Sequence, residues 1–225
     1  MKKTFYSELA YFLGLVSIAL GAAFMEKADF GMSMIVAPAY LIFRKMSSIY
    51  SFFTFGMAEY TLQGALLILM IIVVRRFKVS YLFSFVTAVI YGFILDGCML
   101  LVGGIQNPGM ALRIVLYIAG LLAGSVGVSL VFHTYIAPEV YELFVKEISA
   151  KTGRDINRVK TVYDVCSCLL GVVLSFSFFG LWVFEGVKWG TIVCAIINGS
   201  LIGLCTKLFE RFFEFRDGLK LRRYF

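Results

Sequence analysis

Residues 86–98 read VTAVIYGFILDGC, and residues 193–205 read VCAIINGSLIGLC. Aligned without gaps, the two stretches share Val, Ala, Ile, Gly and Cys at five of thirteen positions, and most other pairs are chemically similar. Three further landmarks follow in the same order: Gly21 with Gly127, Pro38 with Pro138, and Tyr60 with Tyr163. All these offsets lie between 100 and 107, so the chain reads as two copies of one unit joined with small insertions.

Composition says what solvent those copies see. The 225 residues are 60% hydrophobic and 16% charged, with only three prolines and a mean hydropathy of +0.89. Ordinary soluble domains are about 45–50% apolar and about 25% charged. Lipid must therefore solvate most of this chain. Six segments are long and apolar enough to span a bilayer as helices: Leu9–Met25, Phe55–Val74, Val79–Val102, Leu112–Phe132, Val162–Val183 and Trp189–Leu208. The first follows Lys2 and Lys3 as a signal peptide would, but it has an internal counterpart and is read as part of the fold. Each copy holds three spans, an odd number, so the second copy enters the membrane inverted relative to the first. The expected fold is an all-α integral membrane bundle of six transmembrane helices arranged as a 3+3 inverted repeat. The repeats cover residues 1–106 and 107–209, and a basic amphipathic tail covers 210–225.

Orientation follows from lysine and arginine. With both termini cytoplasmic, 16 of these residues lie inside and five (Lys27, Arg44, Lys45, Arg113 and Lys188) lie outside. The net charge of +7 is thus spread between apolar runs, which fits anionic lipid headgroups at the cytoplasmic face and argues against nucleic acid. The tail, alternating basic residues with Phe212, Phe213 and Phe215, is expected to continue the last helix and then lie on those headgroups.

Two apolar segments are too short to span. Met32–Phe43 follows the first span, and Ile136–Ile148 follows the fourth; both contain Ala-Pro, and both are expected to be interfacial or re-entrant helices. The second is amphipathic, with Ile136, Val140, Leu143, Phe144 and Ile148 on one face and Glu139, Glu142, Lys146 and Glu147 on a polar face.

Among residues that could carry chemistry, Asp96 is the sharpest, because a carboxylate deep in a span costs roughly 2.5–3.5 kcal/mol. It occupies the position of Gly203 in the aligned GxxxG of Gly199 and Gly203, so it is expected to face another helix or a cavity. Glu59 and Asp164 open the second and fifth spans beside Tyr60 and Tyr163; acids there could attract a cation or carry a proton, and equally serve the helix dipole. His133, the only histidine, lies at the exit of the fourth span and could relay a proton or simply sit at the interface. Pro38 and Pro138 would start short helices whose free N–H groups could receive an anionic group. Asn198, paired with Tyr91, adds an intramembrane hydrogen-bonding group, as do Gln63 and Thr87. The five cysteines read as buried thiols, no metal-ligand set or nucleophile–base arrangement stands out, and no cofactor is expected.

The proline-containing segment after the first span, with Gly92-Phe93-Ile94-Leu95-Asp96 closing the third, resembles the bacterial YczE/YyaS and YitT-like multi-pass membrane proteins. Without the soluble C-terminal domain of the YitT type, the chain is more similar to the YczE type. The resemblance implies a bacterial plasma-membrane location and marks Asp96 as a motif residue, but supplies no substrate. Inverted repeats favour a non-enzymatic secondary transporter or exporter of a small solute, with its site near the midplane between the repeats. The competing reading is a regulatory or assembly protein acting through the basic loop and tail. At 25.2 kDa the chain is small for a transporter, so a homodimer is expected.

Overall fold

A bilayer offers no water to backbone N–H and C=O groups, so a spanning segment must satisfy them internally as a helix. The computed structural model describes residues 3–219, and within them six helices are long and apolar enough to cross a membrane. These are α1 (Ser7–Ala28), α3 (Phe55–Val74), α4 (Ser80–Val102), α5 (Met110–Phe132), α7 (Ile156–Phe179) and α8 (Trp189–Phe212). Two shorter helices, α2 (Ala37–Ser47) and α6 (Val140–Thr152), follow the first and fourth spans. The chain is a multi-pass membrane protein, and its exterior bears this out: Leu100, Leu101 and Ile196 are 81%, 80% and 74% exposed, apolar side chains that only lipid would solvate well.

Helix boundaries follow local chemistry. Proline lacks an N–H and is tolerated in the first helical turn, so α2 begins at Ala37-Pro38, several residues later than the apolar run Met32–Phe43. Similarly, α6 begins only at Val140, after Pro138. Thr54 caps α3 by accepting a bond from the Met57 N–H at 3.2 Å, and Gly153 ends α6 in the left-handed conformation that glycine adopts without strain.

One contact dominates the packing. Helices α1 and α5 touch backbone to backbone: a Cβ on Gly14 would lie 3.0 Å from the Gly127 carbonyl, and one on Gly21 would lie 2.8 Å from the Gly120 carbonyl. Reciprocally, a Cβ on Gly127 or Gly120 would lie 2.6 Å and 2.9 Å from the carbonyls of Gly14 and Gly21. As the number rises on one helix it falls on the other, so the two run antiparallel. Between the glycine pairs, Ser17 Oγ donates to the Ala123 carbonyl at 2.7 Å. Around this pair, α4 packs on α1 and α8 on α5, while α6 packs on α3 and α2 on α7.

Three expectations need correction. The tail does not prolong α8: Phe213 turns extended, and β2 (Phe213–Arg216) pairs in parallel with β1 (Lys3–Tyr6), Lys3 opposite Phe213 and Tyr6 opposite Arg216. The alternation of Phe213, Glu214, Phe215 and Arg216 has the period of a strand, and both phenylalanines meet Phe5, with ring centres 5.3 and 5.7 Å apart. The part of the expected tail beyond Leu219 lies outside the described residues. Second, the Gly199–Gly203 stretch is not a packing seam within the protomer, because a Cβ on either would meet nothing within 4 Å. Its counterpart Gly92 is tightly packed, against Gly56 and the Tyr60 ring. Third, the acids of α6 do not form a solvated polar face, as the next subsection describes.

Replacing Gly21 or Gly127 by Leu should therefore destabilise the protein by about 1–3 kcal/mol through overpacking, whereas Gly199→Leu and Gly203→Leu should stay within about 0.5 kcal/mol of the native chain. Reversible unfolding in mixed micelles measures both.

Candidate functional site

The segment from Thr134 to Glu139 is irregular and leads from the end of α5 to the start of α6. Thr87 Oγ1 in α4 donates to the Ala137 carbonyl at 2.9 Å and accepts from Tyr11 in α1 at 2.8 Å, which ties this segment between two spans. The first turn of α6 then lies against the interior of α3. Gln63 is fully buried; its amide donates to Glu139 Oε2 at 2.8 Å, while its oxygen accepts from the Val140 N–H at 3.1 Å. From there α6 runs alongside α3 in the same direction, ending where Lys151 Nζ bonds the Val73 carbonyl and Glu147 pairs with Lys78 at 2.9 Å.

This route carries acids into the bundle. Glu139 is buried at the head of α6, and Glu59 of α3 is 0% exposed, accepting from the Tyr141 hydroxyl at 2.9 Å through one oxygen. The other Glu59 oxygen has no hydrogen-bond partner, and neither does the hydroxyl of Tyr91, which is 1% exposed. A buried polar atom left without a partner costs about 1–3 kcal/mol. Tyr91, Glu139, Tyr141, Glu142 and Asn198 together line a cavity of about 120 Å³ set between α1, α4, α5, α6 and α8, room for several water-sized ligands. Asn198 is oriented there by Ser125 Oγ, which donates to its side-chain oxygen at 3.1 Å. Desolvation, followed by the charges of Glu142 and Glu59, holds the Glu139 carboxyl well above the usual carboxylate range. Burial likewise raises Glu142, opposed by Lys160. Burial and the neighbouring Glu59 push the Tyr141 hydroxyl well up.

The residues singled out from sequence divide. Asn198 lines this cavity, Glu59 stands behind its wall on the Tyr141 hydroxyl, and Tyr163 packs on the Tyr141 ring, ring centres 6.4 Å apart. Pro38 and Tyr163 line a separate cleft on the α7 side, and Pro138 lies in the segment that delivers Glu139. Asp96 is elsewhere. Its carboxylate accepts from Thr54 Oγ1 at 2.7 Å and from the Gly56 N–H at 2.7 Å, so it holds the start of α3 onto α4 beside the Gly56–Gly92 contact. A negative charge at a helix N-terminus is stabilised by the helix dipole. Tyr60 packs at the same contact. Asp164 stands 3.8 Å from Lys160 one turn away. His133 is at the strand end of the bundle, Nδ1 2.6 Å from the Ser129 carbonyl and the ring stacked on Phe215. Among the described residues, no group of three or more His, Cys, Asp or Glu is arranged to hold a metal ion.

Glu139, Glu142 and Tyr141 escaped the sequence reading because an amphipathic period assigns acids to water. The signal that could have found them is the Ala-Pro before Glu139 in a chain this apolar: a short helix wedged among spans turns its polar face toward a cavity.

With this geometry in hand, comparison with known proteins adds one fact. Residues 5–207 match a family of unknown function, DUF6198. The chain belongs to that family. No curated protein matches it, and no solved structure does. As a family of unknown function, DUF6198 assigns none of these residues a role.

The acid-lined cavity has a thermodynamic signature. A carboxyl whose folded-state value is raised stabilises the fold fully below the ordinary glutamate range, and that contribution disappears as pH rises through the elevated value. Melting of the purified protein should therefore fall as pH climbs from mildly acidic to mildly alkaline. Glu139→Gln, which keeps an acceptor for Gln63, should flatten that decline and melt higher than the native chain at the alkaline end. A parallel decline in both proteins would show that Glu139 is ionised when folded.

Proposed function

We propose that this DUF6198 protein is a small, non-enzymatic secondary transporter or exporter in the bacterial plasma membrane, coupling movement of a small solute to a proton carried by the buried acids of the central cavity. The observation that carries this reading is the unpartnered Tyr91 hydroxyl facing the same small cavity as Glu139 and Glu142. Ionisable groups inside a membrane are costly and mark ion or proton pathways. A carboxyl whose hold on its proton is strengthened by burial can give that proton to a partner when the cavity wets, and Tyr91 and Asn198 line the same cavity, where a polar solute would meet them.

The inverted-repeat arrangement is part of the proposal. It is supported by the glycine contacts: Gly14 and Gly120 are 106 residues apart, as are Gly21 and Gly127. Exchanging the copies therefore turns the Gly14–Gly127 contact into the Gly120–Gly21 contact. The packing of α1 on α4 recurs as α5 on α8, and that of α3 on α6 as α7 on α2. In this reading α2 and α6 are the re-entrant elements of the two copies, and the cavity lies close to the axis between them. Cytoplasmic termini follow from the lysine and arginine count, and the pairing of β1 with β2, which brings both ends to one side, supports them. The YczE-type likeness and a homodimer belong to the same proposal.

Solid-supported-membrane recordings on proteoliposomes test the coupling. A step from alkaline to acidic buffer should produce a transient charge movement, and Glu59→Gln and Glu139→Gln should each reduce it by more than about tenfold, as for relay acids. Asp96→Asn should lower the yield of folded protein but leave the charge moved per folded molecule unchanged. Identical transients from the native chain and both glutamine variants would transfer the reading to a regulatory or assembly role.

A further inference from the structure

On the other side of Tyr141 lies a second space that transport through the small cavity does not use. Helices α3 and α7 do not pack on one another, and α6 forms the floor between them. The result is a cleft of about 1220 Å³. Its walls are apolar along most of their length, with Leu62, Leu66 and Leu69 on α3 facing Val162, Cys166 and Leu170 on α7. Leu69, Val162 and Leu170 are also exposed on the outside of the bundle, so the cleft opens sideways toward the lipid.

Its chemistry changes at one end. There the lining passes to Thr152, Gly153, Arg154 and Arg158, where α6 ends and α7 begins. Arg154 and Arg158 are four residues apart and exposed. The nearby carboxylate of Asp155 is engaged with the backbone, accepting from the Arg158 N–H at 3.2 Å. Asp155 lines the same mouth, so two guanidinium charges stand against one carboxylate there and the end of the apolar slot is net cationic. This is the end of the bundle where Lys151 reaches Val73 and Lys78 pairs with Glu147, the end where the membrane surface begins.

The dimensions match one leaflet. From Arg158 to Leu170 the helical rise is about 18 Å, against about 15 Å for half of the hydrocarbon core. We infer that the α3–α7 cleft binds an anionic phospholipid, its acyl chain lying along Leu62–Leu69 and Val162–Leu170 and its phosphate held by Arg154 and Arg158. A zwitterionic lipid offers the same tail with no net charge for the arginine pair, so the site discriminates by headgroup. Tyr141 and Ile35 line both this cleft and the acid-lined cavity, so the lipid lies against the wall of the proposed transport site. The inference does not require transport, and it stands or falls separately.

The test is native mass spectrometry of the detergent-purified full chain titrated with palmitoyl-oleoyl phosphatidylglycerol or the phosphatidylcholine of the same chains. The native protein should retain phosphatidylglycerol at least tenfold more strongly, as two arginines at a membrane surface allow. The double variant Arg154→Gln/Arg158→Gln should lose that preference. Arg75→Gln/Arg76→Gln, with the same charge change at the same end but outside the cleft, should keep it. Leu66→Trp, which fills the apolar slot, should weaken retention of both lipids. Equal retention of the two lipids by the native chain, equal weakening by both arginine pairs, or a dimeric mass with no retained lipid would each overturn the assignment.

Discussion

The architecture depends on the approach of α1 to α5. Two helices in lipid gain nothing from the hydrophobic effect by touching, since the tails they displace are as apolar as leucine; what holds them is close packing. Gly14, Gly21, Gly120 and Gly127 remove the side chains that would keep the axes apart, and carbonyls then sit where Cβ atoms would otherwise be. Such contact is short-ranged and fixes the rotation of each helix. With that rotation set, Ala19, Ala22, Ala23 and Met25 turn inward and become the centre of the main core, against which α4 and α8 can seat.

A bundle fixed in this way can tolerate polar groups that lipid would not accept. Glu59, Gln63, Thr87, Ser125, Ser129 and Glu139 are all buried, and most have partners on another helix: Gln63 with Glu139, Glu59 with Tyr141, Thr87 with Tyr11 and Ser129 with Thr206. Removing one member of such a pair leaves the other unsatisfied in a dry interior, so each bond specifies the arrangement more than it stabilises it. The Tyr91 hydroxyl and one oxygen of Glu59 are left without a hydrogen-bond partner near the cavity, while the hydroxyls of Tyr81 and Ser84 are left so elsewhere in the bundle.

How far the sequence alone reached depended on the range of the interaction. The six spans were legible because hydropathy is a property of each segment by itself, and Phe55–Val74 agrees to the residue. The two short helices were legible as elements, but their starts were displaced by the proline rule, since apolar runs extend past the point where Ala37-Pro38 allows a helix to begin. The partners of Asp96 could not be read at all: Thr54 and Gly56 lie about forty residues earlier, and nothing local to Asp96 announces a helix end waiting for a carboxylate. The acids of α6 misled for the opposite reason. Their local pattern was clear, but it describes a helix in water, and this one lies among spans.

The two halves are not equally closed, and that difference links the cavity to the cleft. In the first half, α3 is bound to α4 through Gly56 on Gly92 and through the Asp96 carboxylate on the start of α3. In the second half, the counterpart of Asp96 is Gly203, which meets nothing, and α7 does not pack on α8 in a comparable way. Helix α7 is held chiefly by the short helices, by α2 through Gly171 against Ala37 and Leu41, and by α6 through Phe144 and Tyr141 against Tyr163. Tyr141, packed on Tyr163 of α7, also gives its hydroxyl to Glu59. Tyr141 thus stands between the two spaces, lining both the cleft and the cavity while its hydroxyl holds the buried Glu59 of the other half.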